Sequence, residues 1–253
     1  MTMVTDAGSG RAAAKQLNMT IELLRAVPVL CDVDPKTIHC LAEAMIPLSL
    51  DRNETLFDVG DPACELYLIA NGRIKLSVPS DPMAQPGQGR SQRQSVLSVM
   101  GPGQLFGELS LFDSGRRSAS ATALTPTGLL MLREAEFNRI IGDCPDLARA
   151  MLRQLSGRLR RSHERTTGLV LSDVGGRLAQ VLLYLGRRFG EPTPEGLLVR
   201  HGLTQTELAQ MVGSSRETVN KTLTDFTDRG WVRMGHRRVT ILSAEALRHR
   251  MTV

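Results

Sequence analysis

Aromatic residues are scarce in this chain: one Trp, two Tyr and six Phe among 253 residues. Cysteine is scarcer still. Cys31, Cys40, Cys64 and Cys144 form no CxxC pair, which argues against a disulfide framework and against a Cys-rich zinc or iron–sulfur site. A reducing cytoplasm is the expected compartment. No uninterrupted apolar run approaches the ~18 residues of a membrane span. The opening stretch MTMVTDAGSGRAAAKQLNMT has no apolar core of a secretory signal, so no membrane partner is expected. No nucleophile–base–acid set or metal-ligand spacing is visible and the five His are scattered, so neither an enzyme nor a metal site is expected. With 42% hydrophobic and 23% charged residues, the composition excludes fibres and full disorder.

Charge is unevenly spread. Residues 1–144 carry 13 Lys and Arg against 16 Asp and Glu; residues 145–253 carry 18 against 10. An acidic front half and a basic back half suggest two tasks, and the basic half is a candidate for polyanion binding. Solubility alone is the plain alternative, since surface charge by itself reads no base sequence.

The pattern predicts an α+β protein in four stretches. Residues 1–18 read as a flexible arm, and residues 19–144 as a β-roll domain opened by short helices. Residues 145–171 read as one long helix, and residues 172–253 as a winged helix-turn-helix. In the second stretch, Pro28 and Pro35 break the helices and Asp34 precedes a helix start. Leu66–Ala70 and Ile74–Val78 flank Asn71-Gly72, a hairpin signal. Val96–Met100, Ser118–Ala123 and Gly128–Leu132 are further strand candidates. Between them, residues 79–95, rich in Pro, Gly, Gln and Ser, read as a long mobile loop. After Pro145, residues Leu152, Leu155, Leu159, Ser162, Thr166 and Leu169 recur at alternating spacings of three and four, a coiled-coil seam. The flanks are rich in Arg. A single apolar stripe needs a partner, and pairing with a second copy is the favoured reading.

The third stretch leads into LTQTELAQMVGSSRETVNKTLTDFTDRGWV. Thr204 and Glu207 can form a capping box, Gly213 permits a sharp turn, and Ser215 can cap the second helix. Val219, Leu223 and Phe226 form an inner face. Arg216, Glu217, Asn220 and Lys221 then occupy the outer face near the helix start. Long polar side chains there can bond base edges in a major groove. Thr204 and Gln205, at the first helix start, and Arg237 and Arg238, at a wing tip, are further DNA-contact candidates. A solvated helix face, with Glu217 and Lys221 as an i,i+4 pair, is the alternative.

FGELSLFDSGRRSASA (106–121) joins two strand-like runs. Arg117 can pair with a phosphate, assisted by the Ser118 hydroxyl. Glu108 can accept a sugar hydroxyl, and Gly107 allows close backbone approach. An Arg–Glu salt bridge across the turn is the alternative.

Residues 107–121 resemble the phosphate-binding cassette of the cyclic-nucleotide-binding fold. SRETVNK (215–221) resembles the recognition helix of the cyclic AMP receptor protein / FNR superfamily. The two occur in family order over roughly residues 20–245, with wording most similar to the actinobacterial cyclic AMP receptor proteins. The resemblance implies a cyclic AMP-responsive, homodimeric transcription regulator on an inverted-repeat operator, with RNA polymerase as an expected partner. It implies that Glu108 and Gly107 hold the ribose, and Arg117 and Ser118 the cyclic phosphate. Ser162 would reach the adenine, with His163 contributed across the dimer; an idle, exposed His163 is the alternative. Arg216, Glu217 and Lys221 would read bases. Lys221 replaces a more usual Arg, His163 stands where smaller polar residues are usual, and the 79–95 loop is longer than typical. A cyclic-nucleotide module that regulates a partner protein is the competing reading.

Overall fold

A computed structural model describes residues 7–80, 94–113 and 115–251, with side chains described except at 7–13, 161 and 164–171. The predicted 79–95 loop therefore lies largely outside the described residues, as do the side chains of Thr166 and Leu169. Helix α1 spans Ala7–Arg25, a 3-10 turn Pro28–Leu30, and α2 Pro35–Ala44. The expected arm at 1–18 is thus helical from Ala7. Three consecutive alanines favour that state, and Leu17, Ile21 and Leu24 pack into the helical core. Asp34 caps α2, accepting the Lys36 amide at 3.0 Å and the Thr37 amide at 3.4 Å, with Pro35 in the first turn.

Eight strands follow: β1 Ile46–Leu50, β2 Thr55–Phe57, β3 Glu65–Asn71, β4 Ile74–Pro79, β5 Gln94–Met100, β6 Leu105–Phe106, β7 Ser120–Ala123 and β8 Thr127–Arg133. They form two four-stranded antiparallel sheets, ordered β1-β8-β3-β6 and β2-β7-β4-β5. Strand β3 is apolar on both faces, and its alternation assigns two cores. Leu66 and Leu68, opposite Leu132 and Leu130, face the helices. Tyr67 and Ile69 face the second sheet with Phe106 and Leu129. The Tyr67 and Phe106 rings stack with centroids 5.3 Å apart.

Asn71-Gly72 does not close a hairpin. Strand β3 pairs with β6 and β8, while β4 pairs with β5 and β7. The turn carries the chain from one sheet to the other. Gly72 has φ +84°, and a Cβ there would lie 2.4 Å from Thr127 Oγ1. The Asn71 Oδ1 accepts the Gly128 amide at 3.1 Å. The local turn signal was sound, but pairing was decided by burying both faces of β3.

Short helices α3 (Leu109–Asp113) and α4 (Glu134–Asp143) flank β7 and β8. Then α5, Pro145–Leu171, runs for 27 residues. Its first turns bury Leu147, Ala150 and Met151, whereas Leu152 and Leu159 are 63% and 58% exposed. Asp173 caps α6, Val174–Phe189, which buries Leu178, Leu182 and Leu185. Strands β9 Gly190–Thr193 and β10 Gly196–Val199, then α7 Gln205–Val212, α8 Arg216–Asp228, β11 Val232–Gly235, β12 Arg238–Ile241 and α9 Ala244–Arg250, complete the chain. The sheet here has four strands, ordered β11-β12-β10-β9, not the single hairpin read from sequence. Gly190-Glu-Pro-Thr has too little β-propensity to announce a strand.

The two halves share a core. Val99 and Leu124 of the β-roll pack in the same cluster as Leu208, Val219 and Phe226. The Lys75 ammonium meets Glu207 Oε1 at 2.6 Å, with both side chains mostly buried. Phe189 packs so close to Gly101 that a Cβ would sit 2.6 Å from its ring. His201 is buried within reach of the Arg73 and Glu207 charges; its Nδ1 accepts the Leu203 amide at 3.1 Å, and its Nε2 has no partner. Burial, reinforced by the Arg73 charge, lowers its pKa to about 4.

Because the folded value lies below the ordinary one, His201 contributes fully above about pH 6.5 and is lost as pH falls toward 4. The Glu207 carboxyl is also held low: burial pushes it up, but Lys75 and the Thr204 amide outweigh that, so its contribution too falls with acid. We expect the unfolding free energy of the wild type from urea melts to drop between about pH 7 and about pH 4 by as much as ~3 kcal/mol through His201. His201→Gln should flatten that dependence, and identical slopes for the two proteins would remove His201 from this account.

Candidate ligand site and nucleic-acid interface

The turn from β6 into α3 places Glu108 inside the roll at 0% exposure. A buried carboxylate requires a cation. It is supplied by Arg158 of α5, which bonds Glu108 Oε1 and also donates to the Leu105 carbonyl. Glu108 Oε2 is buried without a partner. Arg117 lies at the start of the run into β7, pinned by backbone bonds to the Gly60–Asp61 turn: Gly60 N to Arg117 O at 2.8 Å, and Arg117 N to Asp61 O at 2.9 Å. Its guanidinium is 3% exposed. It donates to the Glu65 carbonyl at 2.8 Å, the Gly107 carbonyl at 3.1 Å and Glu65 Oε2 at 2.9 Å. It also lies 4.2 Å over the Phe57 ring. Arg117 Nε has no partner.

Gly107, Glu108 and Arg117 are thus brought together. Gly107 has φ +81°, and a Cβ there would stand 2.8 Å from Arg117 Nη1. Its small size therefore makes room for the arginine itself. The Arg–Glu bridge weighed from sequence is present, but through Glu65, and a second bridge joins Glu108 to Arg158. Ser118 is exposed at the rim. Ser162 and His163 follow Arg158 by about one helical turn and are exposed in the single chain. Sequence reasoning missed Glu65 and Arg158. Arg158 looked like one of several solvated arginines. The available signal was that Glu108, placed in an apolar turn, needed a cation from elsewhere.

In the last third, Thr204 Oγ1 accepts the Glu207 amide at 3.2 Å, and Glu207 Oε2 accepts the Thr204 amide at 2.8 Å, a complete capping box. Gly213 takes φ 71° and ends α7. Arg177 of α6 reaches the turn, donating to the Val212 carbonyl at 3.0 Å and the Ser172 carbonyl at 2.8 Å. Ser215 caps α8 through the Thr218 amide at 3.1 Å. Arg216, Glu217 and Lys221 are exposed on α8. The backbone amide at Glu217 and the Ser215 hydroxyl hold the Glu217 carboxyl below its ordinary value. Asn220 donates to Gln205 Oε1 at 3.3 Å, tying the two helices. Arg237, at φ 53°, and exposed Arg238 form the tip of the β11–β12 turn. The expected inner and outer faces of the second helix are both present.

Two family models match the chain: "Cyclic nucleotide-binding domain" over residues 47–144 and "Crp-like helix-turn-helix domain" over residues 176–250. A "CRP-like cAMP-activated global transcriptional regulator" of Mycobacterium tuberculosis is 38% identical over 229 residues, covering 90% of this chain and 98% of that protein. The "Cyclic AMP receptor protein" of Thermus thermophilus is 33% identical, covering 83% and 93%. Among solved structures, FixK2 of Bradyrhizobium japonicum is similar in fold, with TM-score 0.69 and 18% identity over 81% of this chain and 96% of that one.

Arg158→Ala would leave the Glu108 carboxylate buried and uncompensated. It should cost about 3–5 kcal/mol in a denaturant melt. Adding Glu108→Gln should restore part of that loss; strictly additive effects in the double-mutant cycle would show that the two residues do not interact.

Proposed function

This chain belongs to the Crp-like family of transcription regulators, which join a cyclic nucleotide-binding domain to a Crp-like helix-turn-helix domain, and on that premise we propose that cyclic AMP is its effector. The family consists of DNA-binding regulators rather than enzymes. The observation that carries the ligand reading is a pair of unsatisfied atoms on the two residues that flank Gly107 in space. Arg117 Nε is a buried charged donor, and Glu108 Oε2 a buried acceptor. A cyclic phosphate and a ribose hydroxyl supply the complementary groups. Gly107 lines the turn, Ser118 adds a hydroxyl at the rim, and Ser162, with His163 of a second copy, lies within the sector a base would enter.

The functional unit in this reading is a homodimer joined along α5. The exposed Leu152 and Leu159, with half-buried Leu155 between them, support it, because such a stripe is costly to leave in water. Arg158 stands on that same helix. A ligand that engages Glu108 changes what Arg158 gains from it, and so biases the position of α5. The two recognition helices then match half-sites about one DNA turn (~34 Å) apart in an inverted repeat. Arg216, Glu217 and Lys221 read bases, Thr204, Gln205 and Asn220 support that surface, and Arg237 and Arg238 follow phosphates. Such a regulator works in the cytoplasm and meets RNA polymerase at its promoters.

Three measurements test this reading. Calorimetric titration with cyclic AMP should give one site per chain, and Arg117→Ala should abolish it, a loss of at least ~1.5–3 kcal/mol, while the fold survives; wild-type titration by the variant would reject the site. Leu155→Asp with Leu159→Asp should yield a monomer by sedimentation, and a persisting dimer would place the interface elsewhere. Selection on randomised DNA should show Arg216→Ala relaxing one base pair per half-site at about 1–3 kcal/mol. Arg237→Ala should weaken all sequences alike and flatten the salt slope; a base-specific defect there would reverse the two roles.

A further inference from the structure

A cavity of about 480 Å3 lies at the joint between the β-roll, α5 and the end of α6; neither Glu108 nor Arg117 lines it, and Arg158 stands between it and Glu108. Its volume is in the range of small-molecule sites. Three guanidinium groups line it, Arg153 and Arg158 from α5 and Arg188 from α6, and no carboxylate does. Arg158 is committed to Glu108. Arg153 holds Asp32 at 2.7 Å, but that pair is exposed, with both side chains about two-thirds accessible, and so is weak. Arg188 has its guanidinium carbon 5.4 Å from the centre of the Tyr184 ring and pairs with no carboxylate among the described residues. Such a cation–π contact consumes no N–H donor. Gln154 and Gln104 add neutral donors to the wall. Gly157 opens the α5 side of the cavity, at a helix position where glycine costs about 1 kcal/mol relative to alanine.

We propose that this cavity is a second small-molecule site, for a multiply charged phosphorylated anion held between Arg153 and Arg188. Guanidinium forks match phosphate oxygens bidentately. Because one fork belongs to α5 and the other to the last turn of α6, the anion binds only the arrangement in which the two halves are docked. It therefore adds its binding free energy to that arrangement. The site does not depend on the cyclic AMP reading: it needs neither Arg117 nor an occupied Glu108.

The test is calorimetric titration of the full-length protein, saturated with cyclic AMP and separately without it, using inorganic pyrophosphate and AMP as probes. The expected result is one pyrophosphate or AMP per chain. Arg153→Ala with Arg188→Ala should weaken it at least tenfold and leave the cyclic AMP titration unchanged. Gly157→Leu fills the cavity with a better helix former and should abolish anion binding with all three arginines present. The absence of heat with both probes at millimolar concentration overturns the proposal, as does unchanged affinity in either variant. Heat that survives the variants and disappears when DNA is added assigns the anion to the helix-turn-helix face and equally overturns it. Failure of cyclic AMP to bind, with pyrophosphate still bound, would reject the effector reading and leave this site standing.

Discussion

The carboxylate of Glu108 lies wholly inside the β-roll, and the cation that compensates it comes from another element. Desolvating a carboxylate costs several kcal/mol unless a charge and hydrogen bonds replace the water. The Arg158 guanidinium provides both, and it also reaches the Leu105 carbonyl. The position of α5 over the roll is therefore fixed by a directional polar contact and not by apolar packing alone. Among the described side chains of α5, the buried ones lie in its first turns, Leu147, Ala150 and Met151. Beyond them the helix presents Leu152 and Leu159 to solvent, and Arg158, with Gln154 beside it on the Leu105 carbonyl, gives it polar tethers to the roll.

A second tether operates at the other end of the molecule. Glu207 uses one carboxylate oxygen to close the cap of α7 and the other to receive Lys75 from β4. The helix-turn-helix thus shares a residue between its own integrity and its attachment to the roll. Around that pair, Val99 and Leu124 enter the C-terminal core and Phe189 abuts Gly101. Arg177 joins the end of α5 to the turn between α7 and α8 through the Ser172 and Val212 carbonyls. One side chain thus links the residue after α5 to the turn that precedes α8.

Much of this was legible in the sequence, because the signals were local. The capping box at Thr204–Glu207, the glycine at 213, the inner face Val219–Leu223–Phe226 and the length of α5 each depend on residues a few positions apart. What escaped was set by distant partners. Asn71-Gly72 is a correct turn whose strands separate, because β3 has two apolar faces to bury and each β4 neighbour lies in the other sheet. The Ala-rich stretch from residue 12 became helix once Leu17, Ile21 and Leu24 had a core to meet. Of the site residues, Gly107, Glu108 and Arg117 were visible as one motif, whereas Glu65 and Arg158 lie 52 and 50 positions away from the residues they hold. No local pattern distinguishes Arg158 from Arg160 or Arg153; only the need of a buried acid does.

These contacts also bound how such a protein can switch. A ligand shifts an equilibrium only by its difference in affinity between two states, about 1.4 kcal/mol for each tenfold. The shared core and the contact of Phe189 with Gly101 make the domain joint a packed surface, which favours discrete arrangements over gradual flexing. The energy that separates such arrangements must come from contacts whose value changes with occupancy. On the cyclic AMP reading Glu108–Arg158 is one of these, because a hydroxyl on the free oxygen of Glu108 would redistribute the hydrogen bonding of a carboxylate that already has its cation. The tether would then weaken or strengthen while Glu108 stays buried. In a homodimer joined along α5, that change at one oxygen would bias where the helix rests, and with it the spacing of the two recognition helices.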